Sequence, residues 1–472
     1  MFRTSHGEAF NGRPHDSGPG HHALIVGAGI GGLLAARVLS GRFGHVTILE
    51  RDRLSEGPVP RKGVPQGRHL HSLAVRGSRV LEEFFPGLDA ELAEAGCPAV
   101  DQASDTITET PAGRLPRFNS EIVMRAVSRD LLEWRIRRRL EAFPNVEFVP
   151  NLQATGLLYD KSTRRVAGVK TRARGGALTE ADLAADLVVD ASGQGSRAPR
   201  WLKEIGYGEP AETVVDAGLG YATRWYRVPE DFGEDWKSLA VLPGWPENPR
   251  GGTLRQVEGG LWTAVMIGIG EEHQPPTDPD RFLDFARSLP SPVIADAIEH
   301  AEPVSPVYGY RRTANRRRHY EKLRKLPQNF LVFADAACAM NPSYGQGVTN
   351  AALSALALDA VFRDRRRPGS GGLGRRFHKR QVRILYPSWT TTVSSDSQWA
   401  AGSLQELGPF RRRLHRVSDE VLRLATGDEE TARTLLEVKN LLKPPWALLR
   451  PGILVPALRR TISGHPGKSA PA

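Results

Sequence analysis

The 472-residue chain carries 64 lysines and arginines against 53 aspartates and glutamates, a formal net charge of +11, with 40 % hydrophobic and 25 % charged residues. That length corresponds to two or three lobes at roughly 100–200 residues each, and the composition is that of an ordinary globular protein, which excludes a fibrous or wholly disordered chain. No run of about 18 apolar residues occurs, so no membrane-spanning helix is expected. The positive charges are scattered over Arg135–Arg139, Arg311–Lys325, Arg363–Arg367 and Arg411–Arg413, many of them among acids or at helix ends. They read as solvated faces rather than a nucleic-acid surface.

There are two cysteines, Cys97 and Cys338, neither in a CxxC pair. Free thiols in a reducing, cytoplasmic compartment are expected, and no metal site. The first twenty residues are polar and lack the apolar stretch of a signal peptide, so they read as a disordered lead-in.

In chain order, His22–Val26 reads as a strand, GAGIGG follows, LLAARVLS has helical composition, and VTILE is a second strand ending at Glu50: a βαβ start. A Pro/Gly/Arg-rich loop covers 55–67, with helical patterns over 70–83 and 130–143. Val146–Val149 is a strand, 155–159 and 166–171 form a hairpin turning at 161–164, and Leu187–Asp190 is a buried strand. Extended patterns run over 218–228 and 252–269, the second broken by Gly259-Gly260, a tight hairpin turn. In LWTAVMIGI both alternating faces are apolar or small, so that sheet is covered on both sides, one face packing on the body and the other free to line a pocket. A strand at 330–334 precedes a helix over 348–363. GSGGLG from Gly369 reads as a linker, and the chain then reads helical to about Leu442. The stretch 446–462 mixes apolar residues with Arg450, Arg459 and Arg460 and reads either as a membrane-surface segment or as a tail packed on the body.

The expected organisation is α/β. A Rossmann-like, glutathione-reductase-type domain is built discontinuously from 21–85, 120–205 and 305–365. A β-rich substrate domain comes from 86–119 and 206–304, and a helical C-terminal part covers 366–472.

Gly27, Ala28, Gly29 and Gly32 lie in GxGxxG between strand and helix. The first glycine permits the turn, the second lets a pyrophosphate approach the backbone, and the third lets helix and strand pack closely. Free N–H groups at the helix start face the anion, and Glu50 stands where an acid accepts a ribose hydroxyl. The fingerprint by itself does not separate FAD from NAD.

Two later segments, DASGQGSR from Asp190 and FLVFADAACAMNPSYGQG from Phe330, resemble the flavoprotein monooxygenases that share the para-hydroxybenzoate hydroxylase fold. The resemblance implies FAD, with Asp335 contacting its ribitol and pyrophosphate. Ala334 stands where that family's Gly-Asp motif has glycine. Gly345 and Gly347 open a helix whose start faces the flavin ring, a favourable place for negative charge. Arg129 resembles a helix-start arginine that contacts FAD; Arg51 lies either against the adenosine or on the surface; Arg61 and His71 belong to a loop expected to border the flavin. Thr349, with Asn350 next, stands where aromatic hydroxylases of this fold often have asparagine. RKGVPQGRHLHSL (from Arg61), VVDAGLGYATRWY (from Val214), ANRRRHYEKL (from Ala314) and NPSYGQGVTNAA (from Asn341) are similar to segments of the FAD-dependent epoxidases of polyether polyketide biosynthesis. Together these matches run from about residue 22 to about 365.

That resemblance implies an enzyme of specialised metabolism such as antibiotic biosynthesis. It would transfer one oxygen atom from O2 to a small apolar substrate, with alkene epoxidation through a flavin C4a-hydroperoxide. The alternatives are an FAD-dependent hydroxylase of an aromatic substrate and a geranylgeranyl-reductase-like saturase; a flavin-binding redox sensor is the non-enzymatic one. A halogenase would carry W-x-W-x-I-P near 261–267, where only Trp262 is found. With one dinucleotide fingerprint in the chain, NAD(P)H either binds near the flavin or reduces it through a separate reductase. Tyr221, Trp225, Trp262 and Met266 are pocket candidates or core residues, and no side chain is assigned a catalytic role.

Overall fold

The computed structural model describes residues 21–174, 180–364, 372–400 and 409–463. The N-terminal lead-in, residues 1–20, and the first half of GSGGLG lie outside the described residues; Leu373 already begins a helix.

The first layer is a five-stranded parallel sheet in the order Phe330–Val332, Leu187–Asp190, His22–Val26, His45–Leu49, Val146–Val149. Its strands are apolar runs because helices cover one face and a second sheet the other. The helix Ile30–Ser40 packs against Gly347–Arg363 and Arg129–Glu141, burying Leu33, Leu34, Val38, Leu131, Ile136, Ala352 and Leu358 in one core. Leu24, Val188 and Phe330 point the other way, into a core shared with the antiparallel sheet of Leu152–Asp160, Arg165–Ala173 and Glu180–Ala184.

The second unit is a seven-stranded sheet: Tyr308–Tyr310, Leu219–Arg227, Leu261–Ile269, Arg250–Val257, Ser238–Val241, Thr106–Thr110 and Gly113–Arg114. Two strands thus come from before residue 120, and one from beyond residue 304. The turn between Arg250–Val257 and Leu261–Ile269 uses Gly259 and Gly260 at φ 72° and 64°, which suits glycine. Helices Pro279–Arg287 and Val293–Glu299 cover one face of this sheet, burying Phe282, Ile294 and Ile298.

One helical expectation changes. The helix patterned over 70–83 runs only Val75–Phe84. Leu70 instead packs among Tyr221, Val265 and Ile267, and the helix begins where Thr349 Oγ1 accepts the Ala74 N–H at 3.1 Å. Tertiary contact overrides propensity there.

Among the described residues, Cys97 and Cys338 are free and buried, and no helix is long and apolar enough to cross a membrane. The tail helix Pro451–Ser463 packs Ile453 and Ala457 against Val417 and Val421, leaving Trp446 and Leu449 exposed.

Candidate active site

The glycine fingerprint sits where the parallel sheet meets its first helix. Gly27 has φ 104°, and a Cβ there would stand 2.8 Å from the Ala191 carbonyl oxygen. A Cβ on Gly32 would stand 1.8 Å from the Gly27 carbonyl oxygen, so helix and turn touch only because position 32 is glycine. Gly29 differs: its Cβ would meet nothing nearer than Arg129 Nη2 at 3.8 Å, which leaves open space before the helix start. Asp190, fully buried, holds the neighbouring loop in place through Ser192 and Ser196.

Four charged side chains surround that opening. Glu50 accepts the Ala28 N–H at 2.9 Å and pairs with Arg61 at 3.1 Å. Arg61 also binds Glu133 and the Ala28 carbonyl, and Arg129 Nη2 pairs with Glu133 at 3.0 Å. Arg61 therefore lies at the Glu50 end of the cradle. Two carboxylates, Glu50 and Glu133, draw it to the fingerprint. Arg51 is exposed and donates to the Gly63 carbonyl.

The Ala334-Asp335 pair stands across from the fingerprint. Ala334 has φ 48°, the left-handed region that glycine adopts freely, and costs roughly 1–2 kcal/mol of backbone strain there. Gln381 accepts its N–H at 3.1 Å. Asp335 accepts no hydrogen bond among the described residues. Burial raises its pKa to about 6 against the pull of Arg129.

Beyond Asp335 the chain makes a short turn, Pro342–Tyr344, and enters the long helix at Gly347. Gly345 has φ 66°, and a Cβ there would lie 2.5 Å from Ser72 Cβ; a Cβ on Gly347 would meet nothing within 4 Å. Thr349 is buried with its hydroxyl engaged by Ala74, and Asn350 Nδ2 donates to Met340 Sδ. Buried Asp396, on the helix Leu373–Ala400, accepts from Tyr344 Oη at 2.7 Å and Asn341 Nδ2 at 2.9 Å, and Asn315 Nδ2 also donates to it. Burial still leaves the Asp396 carboxyl above its ordinary pKa.

The free face of the seven-stranded sheet forms the roof. Residues paired across antiparallel strands share a face, and Tyr221 pairs with Ile267, Thr223 with Val265, and Trp225 with Thr263. Tyr221, stacked on Tyr310 at 5.2 Å, lies with Leu70, Val265, Ile267 and Trp399 on this face. Trp225 Nε1 donates to the Arg68 carbonyl. Trp262 and Met266 occupy the opposite face, with Trp236, Phe282 and Ile294, so both are corrected from pocket to core. The error is one of parity: in a strand with two apolar faces, side-chain type does not say which face is which.

His69 Nδ1 lies 2.8 Å from Thr223 Oγ1 under the roof, and its pKa falls to about 4 by burial and the nearby Arg68 charge. His71 Nδ1 turns to the His69 carbonyl, and burial with the Arg129 charge lowers its pKa to about 3.

The open cradle at Gly29, the unpartnered carboxylate of Asp335, the buried Arg129 Nε without an acceptor and the space at Gly347 fit one extended dinucleotide running from Glu50 to the long helix.

No protein-family model matches the chain. Protein Rv3254 of Mycobacterium tuberculosis is 33 % identical over 431 residues, covering 90 % of this chain and 90 % of its own. The chain belongs to the family of Rv3254. A kynurenine 3-monooxygenase of Salinispora arenicola is 27 % identical over 354 residues, 71 % of each chain. Among solved structures, flavin-dependent brominase Bmp2 superposes with a TM-score of 0.63 at 14 % identity, covering 94 % of this chain and 98 % of that one. The p-nitrophenol 4-monooxygenase PnpA from Pseudomonas putida does so with a TM-score of 0.60 at 19 % identity, covering 89 % and 99 %. The fold of this member of the Rv3254 family is therefore that of the FAD-dependent monooxygenases and halogenases.

Within this Rv3254-family site, sequence reasoning missed Asp396, Asn315, His69 and Arg255. Asp396 and Asn315 are 81 positions apart and converge on Asn341 only in three dimensions. Arg255 sits in the strand Arg250–Val257 like any alternating polar residue.

Proposed function

We propose that the chain is an FAD-dependent monooxygenase that transfers one oxygen atom from O2 to an apolar specialised metabolite, with alkene epoxidation as its reaction. Bound in the cradle, FAD would supply the redox and oxygen-activating chemistry that side chains lack. Asp335 and Arg129 hold the cofactor's middle, and Glu50 its ribose, sharing that carboxylate with Arg61. The Gly347 helix start presents N–H groups where negative charge develops. Tyr221, Val265 and Ile267 shut water out from above and position an apolar substrate. NAD(P)H serves as electron donor, directly or through a reductase.

The observation that carries the reading is that neither histidine described under the roof is an effective base. His69 and His71, with pKa values lowered to about 4 and about 3, are neutral at physiological pH and too weak to take a phenolic proton. Epoxidation of an alkene needs no such group. The kinship with a kynurenine 3-monooxygenase favours aromatic hydroxylation as a second reading. Turnover of alkene-bearing candidates under ¹⁸O₂ separates the outcomes. One labelled oxygen in an epoxide or its ring-opened product supports the proposal, label in a phenol supports the second reading, and product without label overturns both.

A further inference from the structure

Arg255 belongs to the roof. It pairs in register with Thr263 on one side and Ser238 on the other, so its side chain shares a face with Thr263 and Trp225. It is 9 % exposed, and its guanidinium reaches two hydroxyls, Ser72 at 2.9 Å and Ser238 at 3.4 Å. Ser72 is the residue whose Cβ would collide with a side chain at position 345, so Arg255 is one side chain away from the turn that opens the long helix.

A buried guanidinium is ordinarily matched by a carboxylate. Among the described residues none pairs with Arg255, and burial alone lowers its pKa to about 10. Another cation lies close enough to feel its charge. Lys439 ends the helix Glu429–Lys439, and Asn440 beside it accepts the Val75 N–H, which docks that helix end against Ser72–Val75. Lys439 is open to water, yet desolvation and the Arg255 charge lower its pKa to about 8. Arg255 is thus a buried cation held by hydroxyls alone on the roof face, with a second cation beside it, an arrangement that an anionic ligand would complete.

We propose that Arg255 and Lys439 form an anion anchor in the substrate cavity, so that the substrate is an apolar molecule ending in a carboxylate, held at that end while its body runs under Tyr221, Val265 and Ile267. This rests on the reading of that cavity as the monooxygenase substrate site.

The test titrates purified protein calorimetrically with 10-undecenoate, its methyl ester and undec-10-enyl phosphate, with FAD content measured in parallel. The carboxylate should bind at least about tenfold tighter than the ester, a difference one good charge contact supplies. Lys439→Met, at an exposed position, and Arg255→Gln should each erase most of that preference and leave the ester's affinity in place. Equal affinity for acid and ester, no saturable binding of either anion, or a preference that survives Lys439→Met overturns the anchor. So does tighter binding of the phosphate than of the carboxylate, which would assign the pair to a phosphorylated ligand. A variant that loses FAD together with the anion would assign the pair to the cofactor and likewise overturn it. Wild-type protein that binds the carboxylate but no FAD would sink the monooxygenase reading and leave the anchor standing.

Discussion

Tyr344 donates its hydroxyl to Asp396 across 2.7 Å, tying the turn before the long helix to a helix some fifty residues downstream. The same downstream helix reaches Ala334 through Gln381. The C-terminal part of the chain therefore acts as a splint for both segments that border the cofactor cradle. Asp396→Ala strands the Tyr344 hydroxyl and two asparagine amides, at a cost of about 3 kcal/mol for a buried, charge-assisted network. Tyr344→Phe removes one donor and costs about 1 kcal/mol. Urea unfolding should rank the two in that order, and Asp396→Ala should also lose FAD on gel filtration. Equal midpoints would show that the network does not hold the loop.

Gly347→Val should separate folding from chemistry. A Cβ at this position meets nothing within 4 Å, so the apoprotein should unfold at the wild-type denaturant midpoint. A branched side chain would instead occupy the space before the helix N–H groups. Loss of one such preorganised donor costs roughly 3–4 kcal/mol, or about 10²–10³ in rate. FAD affinity should fall in parallel, measured by fluorescence titration of the apoprotein. Unchanged affinity and turnover would remove this helix start from the site.

The fingerprint was legible in the chain because its chemistry is backbone chemistry: Gly27 takes a positive φ at the strand end, and Gly32 touches the Gly27 carbonyl within one βαβ unit. The hairpin at Gly259-Gly260 was legible for the same reason. The roof was not. Its strand Leu261–Ile269 is apolar on both faces, and only the packing of Phe282 and Ile294 tells which face is covered. Arg61 was drawn to Glu50 and Glu133 across 11 and 72 positions, a choice between charged partners that no local pattern encodes.

Asp335 gives a pH-dependent prediction. Its folded pKa, about 6, lies above the ordinary 3.8, so the folded apoprotein holds this proton more tightly than the unfolded chain does. Its stabilising contribution is present below about pH 4 and is lost as pH rises through 6. Apo Asp335→Asn, which cannot ionise, should therefore gain stability relative to wild type between pH 4 and 6 and hold a constant advantage above. Its affinity for FAD should fall, since a charge-assisted contact is lost. Stability and cofactor binding then move in opposite directions, as they do at functional sites. A pH-independent stability difference would show that the carboxyl titrates normally.

The two faces of the roof give the last prediction. Trp262 is 1 % exposed, stacked on Trp236 at 5.5 Å and edge-on to Phe232 at 5.0 Å, in a core closed by Phe282 and Ile294. Trp262→Ala should cost about 3–5 kcal/mol, the range for emptying a buried aromatic site. Because the side chain points away from the cavity, turnover per folded molecule should hold near wild type. Tyr221 stands on the other face, and no hydrogen bond ties its hydroxyl among the described residues. Tyr221→Phe should therefore change stability by less than about 0.5 kcal/mol, as a substitution that breaks no contact does. Its effect should fall on the cavity, as a changed KM with kcat little altered. Chemical denaturation and steady-state kinetics on both variants read the contrast directly. A Trp262→Ala protein of normal stability with a shifted KM would mean that the sheet presents its other face to the substrate.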